Sequence, residues 1–445
     1  MQLSFRRSIH LIAFSALVAA TPGTARATDG HFLHGVGAIN SALGGAGVAA
    51  NSSLLGAFFV NPAGLASFSG THLEMGFELM KPERSVSSSY GNMSGSTMSV
   101  SAFTPIPAFG WSTELSDGVV FGVAGLGIGG FGVDYAADPS NPMMMPRPYG
   151  FGSVYSNFQL MKIAPALAWK ASDKLRLGVA LNVDWASLAV DPMPTAAPAV
   201  DPGPDGVPRT ADDRAYYSSA AHAGTAFGFG AQIGMQYQMN DKFSVGASYT
   251  SPQFFGDFSY NGVYEDPYLA SYNTPRTFKF RMDAPAVYAA GLAYAPTTAV
   301  RTALDVKYMG YKSTKGFDQS GYNSDGSVKG FGWNDILVVA AGLEYDASPE
   351  WTLRGGYNYS GNPIPDALSM YNIPAPAIVQ HHATVGVGYK LRPGVEINVA
   401  AYKAFENSIS GPMQFPTGAV PGTTVKNTMS ETSFLIGFSF VPTKR

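Results

Sequence analysis

From Thr71 onward, apolar side chains recur at every second residue. Leu175, Leu177, Val179, Leu181, Val183 and Trp185 share one face of an extended chain, while Arg176, Gly178, Ala180, Asn182, Asp184 and Ala186 share the other. Successive strand side chains point to opposite faces, so the pattern predicts a strand with one apolar and one polar-or-small wall. Phe243, Val245, Ala247 and Tyr249 repeat it against Ser244, Gly246 and Ser248, as do Phe434, Ile436, Phe438 and Phe440 against Ser433, Gly437 and Ser439. Fourteen such segments are predicted, at about 72–83, 97–112, 118–135, 154–169, 174–190, 223–238, 243–256, 274–295, 299–314, 329–346, 350–360, 378–390, 395–406 and 430–441.

The connections alternate in length. Those at 112–117, 171–173, 240–242, 296–298, 347–349 and 391–394 are short, and those at 84–96, 136–153, 191–222, 257–273, 315–328, 361–377 and 407–429 are long. An even strand count with short turns on one side and long loops on the other is the pattern of a bacterial outer-membrane barrel. The predicted class is therefore all-β, a fourteen-stranded antiparallel transmembrane β-barrel. A large secreted β protein is the rival, but it has no reason to sort its loops. With short turns in the periplasm, Trp111, Trp169 and Trp351 fall at periplasmic ends and Trp185 and Trp333 near extracellular ends, as interfacial girdles require.

Composition narrows this further. Charged residues make up 13% of the chain, about half the usual ~25%, and 51 Gly with 31 Pro do not suit a helical membrane protein. Residues 30–73 carry no formal charge, yet Asn51-Ser52-Ser53 and Asn61-Pro62 break them, and a spanning helix needs about 20 apolar residues. Arg6 and Arg7, an apolar run over 11–20 and Ala25-Arg26-Ala27 predict a secretory signal peptide at 1–27. Without cysteine there is no disulfide scaffold, thiol catalysis or thiolate metal site. No Lys/Arg cluster points to nucleic acid.

Residues 28–70 do not alternate. Gly35, Gly37, Gly44, Gly45 and Gly47 stand among Ala and Val, followed by the apolar 54–60. A neutral, Gly-rich piece of this length fits inside a barrel lumen as a plug. The alternative is a disordered periplasmic leader, although such segments are usually charged and poor in Phe and Leu.

Asn40-Ser41-Ala42-Leu43-Gly44-Gly45-Ala46-Gly47-Val48-Ala49 followed by Asn61-Pro62-Ala63-Gly64-Leu65-Ala66 resembles the amino-terminal hatch of FadL-type long-chain fatty acid transporters, a family with relatives that handle aromatic hydrocarbons. Trp333-Asn334-Asp335, Gly342-Leu343-Glu344-Tyr345, Trp351-Thr352-Leu353-Arg354-Gly355-Gly356-Tyr357 and Asn362-Pro363-Ile364-Pro365-Asp366 are similar to later blocks of that family, in order. The resemblance implies a hatch at 28–70 inside a barrel at 71–445. It implies passive inward movement of hydrophobic solutes, fatty acids first, and no cofactor. It also implies a side opening at a kink in strand three, where Gly125, Gly127, Gly129 and Gly130 cluster beside a gate of Asn61, Pro62 and Ala63. Glycines that merely make room for the plug are the alternative.

Candidate docking residues for a greasy solute are Met143, Met144, Met145, Tyr149 and Phe151 in an outer loop, since thioethers accept varied apolar shapes. For an acidic head group, Lys279, Arg281 and Arg354 are the luminal candidates among inward-facing charges, which also include Lys162, Asp184 and Lys307. No metal-spaced His cluster exists, and the Asp-rich stretch 201–213 reads as a solvated turn or a Ca²⁺ loop without EF-hand spacing. Expected partners are hydrophobic small molecules, outer-membrane lipid and the barrel assembly machinery, for a monomer. An aromatic hydrocarbon channel, a barrel enzyme of phospholipase type and a non-specific porin are the rivals. The enzyme would need a Ser or His base constellation, and none is legible.

Overall fold

The computed structural model describes residues 29–442 except 101, 102, 204, 208, 209 and 211. The predicted signal peptide at 1–27 lies outside the described residues. Fourteen antiparallel strands close on themselves: β1 (Thr71–Tyr90), β2 (Thr104–Ser116), β3 (Val119–Tyr135), β4 (Val154–Lys170), β5 (Leu175–Asp191), β6 (Ala220–Gln238), β7 (Phe243–Thr250), β8 (Val287–Tyr294), β9 (Val300–Met309), β10 (Ile336–Asp346), β11 (Trp351–Ser360), β12 (His381–Arg392), β13 (Val395–Gly411) and β14 (Thr424–Phe440). Each pairs with its neighbours in sequence, and β14 returns to β1 from Leu73↔Phe440 to Ser89↔Thr424. The short turns all lie at the end where β1 begins and β14 finishes.

Alternation explains the two surfaces. Phe77, Leu79, Ile163, Leu181, Val385, Val399 and Phe434 are exposed on the outside, while Glu78, Lys162, Asn182, Asp184, Thr384, Asn398 and Ser433 are buried inside. An apolar belt around a closed barrel is the surface that a bilayer covers. No described helix is long and apolar enough to cross a membrane.

Residues 29–70 fold within the ring. α1 (Gly37–Ala42) rests on β11–β14 and β1, α2 (Leu54–Val60) on β1–β3, and a 3₁₀ turn (Pro62–Ser67) on β3–β6. Ser53 caps α2 by accepting the Gly56 amide, and Asn61 caps the 3₁₀ turn by accepting the Ala63 amide ahead of Pro62. Wall glycines admit this segment. A Cβ on Gly178, Gly234 or Gly246 would run into Pro62, Asn61 or Val48.

Three expectations change here. The barrel strand expected from 97 begins at Thr104, and Met93–Met98 pairs back onto β1 across the expected loop 84–96. The segment expected at 274–295 is two pieces: Pro275–Phe280 pairs with Phe258–Val263 in a separate hairpin, and barrel strand β8 starts only at Val287, after Pro285. Proline supplies no N–H to a ladder, and here the chain leaves the barrel sheet before it. Trp333 does not join a girdle. It precedes β10 and is buried, its indole donating to Asn372 at 2.6 Å.

Candidate functional site

The seam between β2 and β3 is open. Their pairing stops at Ala108↔Leu126, although β2 continues beside β1 as far as Thr104. Pro105 and Pro107 sit in that stretch and have no amide hydrogen to offer a ladder. Among the described residues, backbone hydrogen bonding across the seam resumes only where Val100 N–H donates to Asp134 O at 2.9 Å, beside the Ser99–Tyr135 bridge. On its other side β3 carries a bulge: Gly127 opposes Met161 and Gly129 opposes Leu160, so Ile128 is an extra residue. A cavity of about 470 Å³ occupies the seam, with Phe103, Pro105, Ile106 and Met161 toward the outside and His31, Phe32, Leu33, Arg84, Tyr402 and Glu431 toward the lumen.

The hatch tip, residues 29–33, takes the place of the missing strand. Leu33 N–H donates to Ile128 O at 2.9 Å, Gly130 N–H donates to His31 O at 2.8 Å, and Phe32 bridges Gly129. Gly129 permits this, because a Cβ there would strike the His31 carbonyl. Behind the tip lies a chamber of about 60 Å³. Phe32, Leu33, Phe59, Ile128, Val287 and Met309 line it with apolar surface, and Asp29, Lys162, Asn182, Asp184, Gln253 and Lys307 with polar groups. Phe32 and Leu33 line both spaces and form the partition between them.

The tip is held by aromatic packing and two polar clasps. The His31 ring stacks on Phe317 at 5.1 Å and lies near Phe158, Tyr311 and Trp333. The Tyr311 hydroxyl accepts the His31 amide at 3.2 Å, and Lys307 Nζ lies 3.4 Å from the Asp29 carboxylate. Burial pushes the His31 imidazole down to about 3 and that of His34 down to about 4, so both are neutral. Burial raises the Asp29 carboxyl against the pull of Lys307.

The rest of the hatch is anchored to the wall by carboxylates and amides on its backbone. Asp305 accepts Gly47 and Val48 N–H at 2.6 and 2.9 Å, and Glu74 accepts Leu54 N–H at 2.6 Å. Asn61 donates to Val48 O at 2.7 Å and Met235 O at 3.1 Å, and Gln232 donates to Val60 O at 3.1 Å. Asn61, Pro62 and Ala63 therefore sit against β5, β6 and β7, at Gly178 and Gly234. The hatch residues beside the strand-three bulge are His31–Leu33, because the tip backbone supplies the hydrogen bonds that β2 lacks there.

The candidate cations do not converge. Arg354 is luminal but fully engaged, with Glu344 at 2.6 Å, Asn398 at 2.7 Å and Glu396 at 3.4 Å, in a network that Arg301 joins near the short turns. Lys279 lies on the hairpin outside the barrel sheet, 3.8 Å from Asp257 with its side chain 63% exposed, and Arg281 pairs with its near neighbour Asp283 at 3.1 Å. Among the inward cations named from alternation, Lys162 and Lys307 face the chamber. Gly127 packs against Ile106, whereas Gly125 faces open space. In the outer loop Met143 and Met144 are buried with Val133, Tyr135, Val154 and Met370, so they fasten the loop down and offer no docking surface. Met145 is half-buried, Tyr149 is exposed, and Phe151 lines a small crevice with Tyr217, Tyr322 and Tyr371. The tip went unrecognised in the sequence, but Thr104-Pro105-Ile106-Pro107 was a legible signal that strand pairing would fail.

The family model described as outer membrane protein transport protein (OMPP1/FadL/TodX) matches residues 24–440. The toluene transporter TodX of P. putida superposes with a TM-score of 0.71 at 19% identity, covering 93% of this chain and 100% of that one. A FadL homologue of Pseudomonas aeruginosa gives 0.65 at 14% identity, covering 92% and 99%. The toluene transporter TbuX of Ralstonia pickettii gives 0.59 at 20%, covering 90% and 98%. At these identities the likeness is one of fold. No curated protein sequence matches the chain. By the match along nearly its whole length, on a closed fourteen-stranded barrel, this chain belongs to the OMPP1/FadL/TodX family of outer-membrane transport proteins, channels for hydrophobic compounds.

Proposed function

We propose that the chain takes up hydrophobic compounds passively and releases them sideways through the seam between β2 and β3 into outer-membrane lipid. The observation that carries this reading is the double exposure of Phe32 and Leu33, which face both the chamber and the seam cavity. When a compound displaces the tip, the two spaces join into one path that never enters water. The hatch base, including Asn61, Pro62 and Ala63, stays on the wall as the fixed part of the gate. Tyr149 and Phe151 supply the outer docking surface, and the barrel assembly machinery inserts the chain as a monomer.

Compact aromatic compounds are the favoured class. The tip is ringed by Phe158, Phe317 and Trp333, and two of the solved relatives are described as toluene transporters. Long-chain fatty acids are the second reading, supported by Lys162 at the chamber, although Arg354 is already engaged. Cells producing the protein are compared with cells lacking it for uptake of toluene and of oleate. Faster toluene entry is expected, falling to the background rate when Ile128 is deleted, because β3 then regains register with β4 and loses the carbonyl that seats the tip. If neither compound enters faster than background, the uptake reading is wrong.

A further inference from the structure

Within the chamber, both oxygens of Asp184, both amide atoms of Asn182 and Oε1 of Gln253 have no hydrogen-bond partner among the described residues, and Asp184 and Asn182 are 0% and 1% exposed. Groups buried this deeply are normally paired, and each unpaired one costs free energy. The two cations there already have counter-charges. Lys162 stands directly opposite Asp184 across the β4–β5 pair, its ammonium 5.8 Å from the Phe59 ring centroid, and Lys307 lies beside Asp29. An incoming carboxylate would find no net positive charge and would face Asp184. A hydrogen-bond donor would find open acceptors.

We infer that the chamber is a subsite for a neutral hydrogen-bond-donating head, and that among compact aromatic compounds this channel favours phenols and similar hydroxylated rings over bare hydrocarbons and carboxylates. The inference rests on the uptake reading and names its substrate class. At about 60 Å³ the chamber has room for a polar head and a few waters but not for an aromatic ring, so the ring must lie where Phe32 now is. Ring for ring, that exchange leaves the buried apolar area nearly unchanged. A bare hydrocarbon therefore displaces the tip less readily than a phenol, which adds a hydrogen bond to an unpartnered carboxylate.

Toluene, p-cresol and p-toluate share one ring and differ only in the head. Their binding to the full-length barrel in lipid nanodiscs is measured by calorimetry. The wild-type protein is expected to bind p-cresol about tenfold tighter than toluene, the scale of one hydrogen bond to a charged acceptor, and p-toluate weakest. In Asp184→Ala, Lys162 loses its counter-charge, and p-toluate should overtake p-cresol. Asn182→Ala, which keeps the charge pair, should narrow the p-cresol advantage without that reversal. Equal binding of toluene and p-cresol to the wild type would overturn the subsite, as would wild-type preference for p-toluate. Neither result depends on the variants folding. Failure of the uptake reading appears separately, as entry of p-cresol, toluene and oleate all no faster than background in cells.

Discussion

At the scale of single residues, the tip is held by groups that must shed water to dock. His31 and His34 are neutral when docked, with imidazoles lowered to about 3 and about 4, against 6.5 when free. As pH falls below 6.5, the undocked tip binds protons that the docked tip excludes, and docking weakens. At pH 5 the loss is on the order of 2 kcal/mol for each imidazole. Asp29 works the other way, since its raised carboxyl favours the docked tip as pH falls. Single-channel conductance should therefore show more frequent openings at pH 5 than at pH 7.5, and His31→Gln with His34→Gln should remove that increase. A double variant with unchanged acid response would show that these imidazoles do not control the tip. Alternation exposed Lys162 and Asp184 as inward residues, but it treats all inward polar residues alike. Which carboxylate is left without donors depends on what packs across the lumen.

At the scale of elements, the seam follows from two local breaks that coincide in space. Pro105 and Pro107 remove donors from β2, and the bulge at Ile128 turns β3 inward toward the hatch. Replacing both prolines with valine restores two amides to a strand that already runs beside β1. Pairing should then extend past Ala108↔Leu126, narrowing the cavity of about 470 Å³ and lowering toluene uptake several-fold. Uptake at the wild-type rate with both valines present would place the exit elsewhere. The glycine cluster in β3 is legible in the sequence, but the hatch residues that meet it are His31–Leu33 and not the expected Asn61-Pro62-Ala63. A motif shows that a turn is built a certain way, as Asn61 capping the 3₁₀ turn shows, but not which wall it faces.

At the scale of the molecule, strands and hatch divide the work. The barrel keeps its apolar belt in lipid, and the hatch crosses the lumen on wall carboxylates and amides such as Asp305, Glu74 and Gln232. Deleting 29–68 leaves every barrel strand intact and should raise ion conductance many-fold in planar bilayers. Conductance equal to the intact chain's would mean that the segment does not block the lumen.

Strand number, alternating faces and the sorting of loop lengths were determined by the sequence alone. They follow from a period of two and from turn residues, both local properties of the chain. Limits appeared where local and long-range signals mix. The run at 274–295 alternates throughout, yet Pro285 and pairing with Phe258–Val263 divert its first part into a separate hairpin. Position near a strand end points Trp333 to an interface, and only packing against Phe317 and Tyr311 places it inside. The site belongs to that second kind. Asp29 meets Lys307, Phe32 meets Gly129, and Lys162 meets Asp184 only once the ring has closed and the hatch has folded into it. Contacts between residues so far apart depend on closure and register, which no single segment encodes.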